Sequence, residues 1–155
     1  MKIRRAEAKD ADRVIELLSQ VLEIHAAIRP DVFVSGTTKH SRAEVLAIFA
    51  DDSSPVYVAE EDGAVIGYAF CVIKDRPKKE FFVPGRALDI DDLCVDASAR
   101  GVGVGEALFR FVKEEAKRLG CESVTLNVWE GNAPARAFYE KMGMRPQRTV
   151  MEYFL

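Results

Sequence analysis

LDIDDLCVDASARGVGVGEALFRFVKEEAK, residues 88–117, combines a strand, a glycine-rich turn and a helix, and the remainder of the chain falls into place around it. Apolar residues at Leu88, Ile90, Leu93, Cys94 and Val95 make a run of strand length, ended by the polar Asp96 and Ser98. Arg100 is followed by Gly101, Gly103 and Gly105, a spacing that lets the backbone approach a ligand closely. From Val104 onward, Ala107, Leu108, Phe111, Val112 and Leu119 recur at helical spacing, with Glu106, Arg110, Lys113, Glu114 and Lys117 opposite. A glycine loop that feeds a helix N-terminus presents free N–H groups and the positive end of the helix dipole. That arrangement suits phosphate.

Two phosphate-binding patterns are excluded. A nucleotide P-loop requires Lys-Ser/Thr after its last glycine, and Glu106-Ala107 stands there. A dinucleotide fingerprint requires a third glycine where Glu106 is found, and usually lies early in its domain. What remains is R-x-x-G-x-G, met by Arg100, Gly103 and Gly105 behind the D-L-x-V strand of Asp92, Leu93 and Val95. A second pattern follows in N-A-P-A-R-A-F-Y-E-K-M-G-M. Asn132, Ala135, Phe138, Tyr139, Lys141 and Gly143 satisfy N-x-x-A-x-x-(F/Y)-Y-x-K-x-G-F, and only Met144 departs from it, as an apolar substitute for Phe.

The two patterns, in this order and at this separation, resemble the GCN5-related N-acetyltransferases, the GNAT superfamily. The resemblance spans nearly the whole chain. It implies an α/β (α+β) fold of three layers. Its central sheet would be mixed, mostly antiparallel, of about six to seven strands flanked by about four helices and splayed at the central strand. It also implies a single domain over residues 1–155, with acetyl-CoA as co-substrate and no metal. The cofactor would be held by Leu93, Cys94, Val95, Arg100, Gly101, Val102, Gly103, Val104, Gly105 and Glu106, and by Asn132, Ala135, Phe138 and Tyr139 from the second motif.

The bulk properties agree with one soluble domain. The chain has 155 residues, 48% hydrophobic and 30% charged, enough to bury a core. A net charge of −3 argues against nucleic acid, which calls for a basic face. Cys71, Cys94 and Cys121 have no metal-ligand spacing and sit in or beside apolar runs, as reduced core residues do. No apolar run is long enough for a membrane span, and the N-terminus lacks a secretory signal, so a cytoplasmic location is expected.

The other elements follow in order. Lys2–Arg5 reads as a short strand, and Asp10 as the cap of a helix to Ile28 stopped by Pro30. Residues 31–40 are irregular, and Ser41 caps a helix to Ala50. Val56–Glu60 and Val65–Lys74 form strands around the Asp62-Gly63 turn, and residues 75–87 a charged loop. Gly120 ends the central helix, and a strand is expected from Glu122 to Trp129. Asn132 opens a helix with Pro134 in its first turn, and Thr149–Leu155 should form a closing strand. Members of the family often dimerise through their C-terminal strands, and the apolar end Met151–Leu155 suits such a homodimer.

Acetyl transfer to an amine needs a neutral amine, a polarised carbonyl and a proton for the leaving thiolate. A lysine-like amine is neutral about once in 2,500 molecules at pH 7, a cost of roughly 4–5 kcal/mol unless a base removes its proton. Strand alternation puts Asp89 and Asp91 on one face and Asp92 on the other, so Asp91 is the first candidate base and Asp92 the second. By resemblance, a backbone N–H near Leu93 or Cys94 polarises the carbonyl, and the Tyr139 hydroxyl serves the thiolate. Cys94 as a nucleophile lacks a histidine partner. His25, Arg29 and Phe33, with Asp91 and Trp129, are the candidate acceptor-binding residues. The resulting expectation is an N-acetyltransferase that moves the acetyl group to a primary amine, on a small molecule or a protein N-terminus, by direct attack in a ternary complex. The alternative is a catalytically silent acyl-CoA-binding sensor or scaffold.

Overall fold

The computed structural model describes residues 1–155. Lys2–Arg5 (β1) leads through a short 3-10 turn into Ala11–Ile28 (α1), whose apolar stripe of Val14, Leu17, Leu18 and Leu22 is buried. Asp10 does not cap α1 with its side chain. Its carboxylate accepts from the Glu7 N–H at 2.8 Å and from two Arg4 guanidinium nitrogens at 2.7 and 2.9 Å. Arg42–Phe49 (α2) starts at a capping box: the Ser41 hydroxyl accepts from the Glu44 N–H, and the Glu44 carboxylate from the Ser41 N–H.

Val56–Glu61 (β2) and Ala64–Asp75 (β3) join at the expected Asp62-Gly63 hairpin. Arg86–Val95 (β4) follows, then Val104–Arg118 (α3), Ser123–Leu126 (β5) and Ala133–Lys141 (α4). The sheet runs β1-β2-β3-β4-β5. All neighbours are antiparallel except β4 and β5, which are parallel and joined by α3 as a crossover.

Alternation along the strands divides the core into two. Val56, Val58, Tyr68 and Phe70 meet α1 and α2 on one face, around Val14, Leu17, Leu18 and Val45. Tyr57, Ala69, Cys71, Leu88 and Ile90 meet Phe109, Val112 and Ala116 of α3 on the other. This three-layer α/β architecture is the expected one, with four helices and five strands.

Two departures from expectation matter for function. In the β3–β4 ladder Phe70 pairs with Asp92 and Cys71 with Ile90, which leaves Asp91 without an opposite number. This is a β-bulge, and it resets the alternation. Asp92 therefore does not lie on the face opposite Asp89, as simple alternation predicted. It turns with Tyr68 and Cys94 towards α1.

The second departure concerns the sheet's far edge. β5 pairs with β4 only from Ala87–Ser123 to Ile90–Leu126, so the strand expected to reach Trp129 stops at Leu126. The closing strand expected at Thr149–Leu155 does not form either, which accounts for the lower strand count. Residues 144–155 have no strand partner within the chain, and an unpaired segment has no ladder to satisfy its backbone. Val150, Met151, Tyr153 and Phe154 stay exposed, while Glu152 pairs with Arg29 at 3.0 Å. No helix is long and apolar enough to cross a membrane.

Candidate active site

Where β5 ends and β4 continues, the sheet splits and a cleft of about 560 Å³ opens. Ile90, Asp91, Asp92 and Leu93 form one wall, and Leu126 to Trp129 the facing wall. Asn132, Ala135 and Tyr139 of the α4 segment close one end. His25 of α1 and the connection from Val32 to Lys39 close the other. Past the last β4–β5 pair, the β4 backbone has no ladder partner on this side.

The three strand acids have three different environments. Asp89 is buried and bonded to Lys74 Nζ at 2.8 Å and Thr125 Oγ1 at 2.6 Å, and it stands outside the cleft. Neither Arg86 nor Arg100 pairs with any of them: Arg86 holds Asp75, and the Arg100 Nε donates to the Val95 carbonyl. Asp91 and Asp92 both line the cleft, one half-exposed and one buried. Asp91 Oδ2 lies 2.6 Å from Lys39 Nζ. Asp92 Oδ2 accepts from the Tyr68 hydroxyl at 2.9 Å. Burial pushes the Asp92 carboxyl above the usual carboxylate range, against the Tyr68 hydrogen bond and the nearby charges of Lys39 and His25.

Tyr139 reaches the cleft because Asn132 starts α4 at the right place. Its Oδ1 accepts from the Ala135 N–H at 3.4 Å, with Pro134 in the first turn. The Tyr139 ring packs on Phe109 and Phe138, and burial, with the charge of Asp92, holds its hydroxyl well above the usual phenol range. It stays protonated, a donor at any ordinary pH. Phe138 turns the other way, to Gly105, where a Cβ would stand 3.4 Å from its ring. That distance is ordinary van der Waals contact, so the α3–α4 packing does not itself demand a glycine at position 105.

The glycine loop adjoins the cleft without lining it. Gly103 caps α3 with φ 88°, a left-handed conformation, and a Cβ there would meet no protein atom within 4 Å. Val102 is exposed, and the terminal nitrogens of Arg100 make no hydrogen bond within the chain. The loop N–H groups and the α3 N-terminus are therefore open to an anion. Cys94 turns away from both: its thiol is buried against the Leu17 carbonyl at 3.6 Å, and burial pushes it up to about 12. It is no nucleophile.

On the acceptor side, Phe33 lies edge-to-face with Trp129 and 5.3 Å from the His25 ring. Arg29 does not line the cleft, contrary to expectation. Its guanidinium packs over the Trp129 ring, 5.1 Å from the centroid, and pairs with Asp31 and Glu152. Lys39 and Tyr68 were missed in the sequence. Lys39 sits in an irregular stretch without a motif. Tyr68 carried a signal, since a tyrosine on a buried strand needs a partner for its hydroxyl.

Residues 18–144 match the profile of the Acetyltransferase (GNAT) family. The chain belongs to this family. A glucosamine 6-phosphate N-acetyltransferase of Arabidopsis thaliana is 30% identical to this GNAT chain, over 99% of it and 96% of the relative. A putative [ribosomal protein bS18]-alanine N-acetyltransferase of Bacillus subtilis is 28% identical, over 90% and 82%. Among solved structures, a tetramutant of the BH1408 protein from Bacillus halodurans superposes with a TM-score of 0.95 at 30% identity, over 100% of both chains. An aminoglycoside N-acetyltransferase in complex with CoA shares the fold, with a TM-score of 0.75 at 18% identity over 99% and 98%.

Proposed function

We propose that this GNAT acetyltransferase binds acetyl-CoA on the loop of Arg100 to Gly105 and transfers its acetyl group to a primary amine seated in the cleft. The observation that carries the reading is the bulge at Asp91. It brings two carboxylates into the opening between β4 and β5, beside a buried tyrosine hydroxyl. Asp91, the outer acid, receives the ammonium group of the acceptor. Asp92, the inner one, accepts the proton, because burial raises its basicity above that of an ordinary carboxylate. The neutral amine attacks the thioester carbonyl, whose oxygen meets an unpaired β4 N–H. The N–C bond forms, the C–S bond breaks, and Tyr139 donates a hydrogen bond to the departing sulfur.

The lining also bears on the acceptor. Two carboxylates face one lysine, and that lysine is held by Asp91, so the cleft favours a cation over a phosphorylated amine. The ring wall of Phe33 and Trp129 suits an acceptor with an apolar or flat portion. The test is CoA release from acetyl-CoA with a panel of small amines and N-terminal peptides. Release that depends on a primary amine supports the reading. Calorimetric binding of acetyl-CoA with no release from any amine would establish a silent binding module instead.

The assembly is part of the same proposal. β5 has β4 on one side and no strand on the other, and the exposed apolar C-terminal segment has no strand partner in its own chain. Two copies would satisfy both by laying each C-terminal segment along the other's β5.

A further inference from the structure

Lys39 is the one lysine or arginine that lines the cleft, and its Nζ already rests on the carboxylate assigned to the acceptor. The two residues stand 52 positions apart, so the contact is made by the fold and not by chain proximity. Its charge also reaches Asp92, the inner acid. Lys39 and Asp91 are 40% and 44% exposed, and an ion pair that open adds little to stability. The pair is therefore free to part.

A lysine side chain is itself a primary alkylamine. We infer that Lys39 is an intramolecular acetyl acceptor: without a free amine, the protein acetylates its own Lys39. The inference rests on the reading that the cleft acetylates primary amines. The Lys39 ammonium gives its proton to Asp92, and the neutral Nζ attacks the acetyl carbonyl carbon. The N–C bond forms as the C–S bond breaks, the electron pair leaves on the CoA sulfur, and one proton returns to it. No further reactant is needed. The product amide is uncharged, so Asp91 loses its ion pair and becomes available to the ammonium of another amine.

The experiment is incubation of the whole chain with acetyl-CoA alone, followed by intact mass measurement and peptide mapping. One acetyl group should appear on Lys39, with a rate constant independent of protein concentration. Lys113 and Lys117 on the outer face of α3 should acquire far less. Tyr139→Phe should slow the Lys39 reaction by about 10²-fold or more while leaving background labelling of those surface lysines as it was. Lys39→Arg, which keeps the charge, should show no acetyl group at position 39. Labelling of Lys39 no faster than of Lys113, insensitivity to Tyr139→Phe, or a rate that scales with protein concentration would each overturn the inference. An unmodified Lys39 in a preparation that releases CoA with added amines would overturn it and leave the transferase reading standing. No labelling and no release, with acetyl-CoA bound, would overturn both.

Discussion

At Asp92 two influences oppose each other: burial favours the neutral acid, and the Tyr68 hydroxyl favours the carboxylate. Burial prevails, so the folded chain holds this proton more tightly than the unfolded chain does. The Asp92 contribution to stability therefore falls as pH rises from the ordinary carboxylate value to the raised one. Catalysis has the opposite dependence, because only the ionised form accepts a proton. The rate should climb with pH through the raised value. Tyr68→Phe removes a hydrogen bond to a charged group, worth about 1.5–3 kcal/mol, and should move that limb up by about one to two pH units. Asp92→Asn should abolish the limb and lower kcat by about 10²–10⁴ at neutral pH. Its loss should shrink at alkaline pH, where each unit supplies about tenfold more free amine. Asp91→Asn should chiefly raise KM for the amine. pH–rate profiles of the three variants on one acceptor check this, and a limb that survives Asp92→Asn moves the base elsewhere.

Among the elements, the loop between β4 and α3 and the start of α4 were legible because each is written in a few consecutive residues. Gly103, Gly105, Asn132 and Tyr139 could be assigned places without knowing what packs on them. The bulge could not be read that way. Whether Asp91 pairs with a residue of β3 depends on the register of both strands, and the three acids look alike in one of them. Lys39 escaped for a related reason: only the fold brings its irregular connection to Asp91. The loop assignment has its own test in Gly103→Ala. The new methyl would meet no protein atom, and its left-handed backbone costs about 1–2 kcal/mol. Gly63→Ala in the β2–β3 turn, at φ 80° and equally open, should cost the same stability and serves as the control. Gly103→Ala should weaken acetyl-CoA binding at least about tenfold by calorimetry, and Gly63→Ala should leave it unchanged. Equal affinities would reduce the loop to a turn.

For the molecule as a whole, the order of helices and strands followed from alternation and helical spacing, and the three layers from the resemblance to the GNAT family. The fate of the C-terminal segment did not, because its apolar residues read as a strand whether or not an edge receives them. If a second copy receives them, sedimentation should show a dimer for the whole chain and a monomer once residues 148–155 are deleted. A full-length monomer at tens of micromolar, or a dimer that survives deletion, would remove the C-terminal segment from the interface. The sheet's wiring carries a further consequence, for the way the chain folds. β2, β3 and β4 are joined by a two-residue turn and one loop, so their pairings are local. The β4–β5 pairing must wait for the crossover through α3, and loop closure of that kind is slow relative to hairpin formation. The cleft lies along that seam. A chain still emerging from the ribosome can hold most of its sheet while its cleft has only one wall, and it gains a place for an acceptor as one of its last acts of folding.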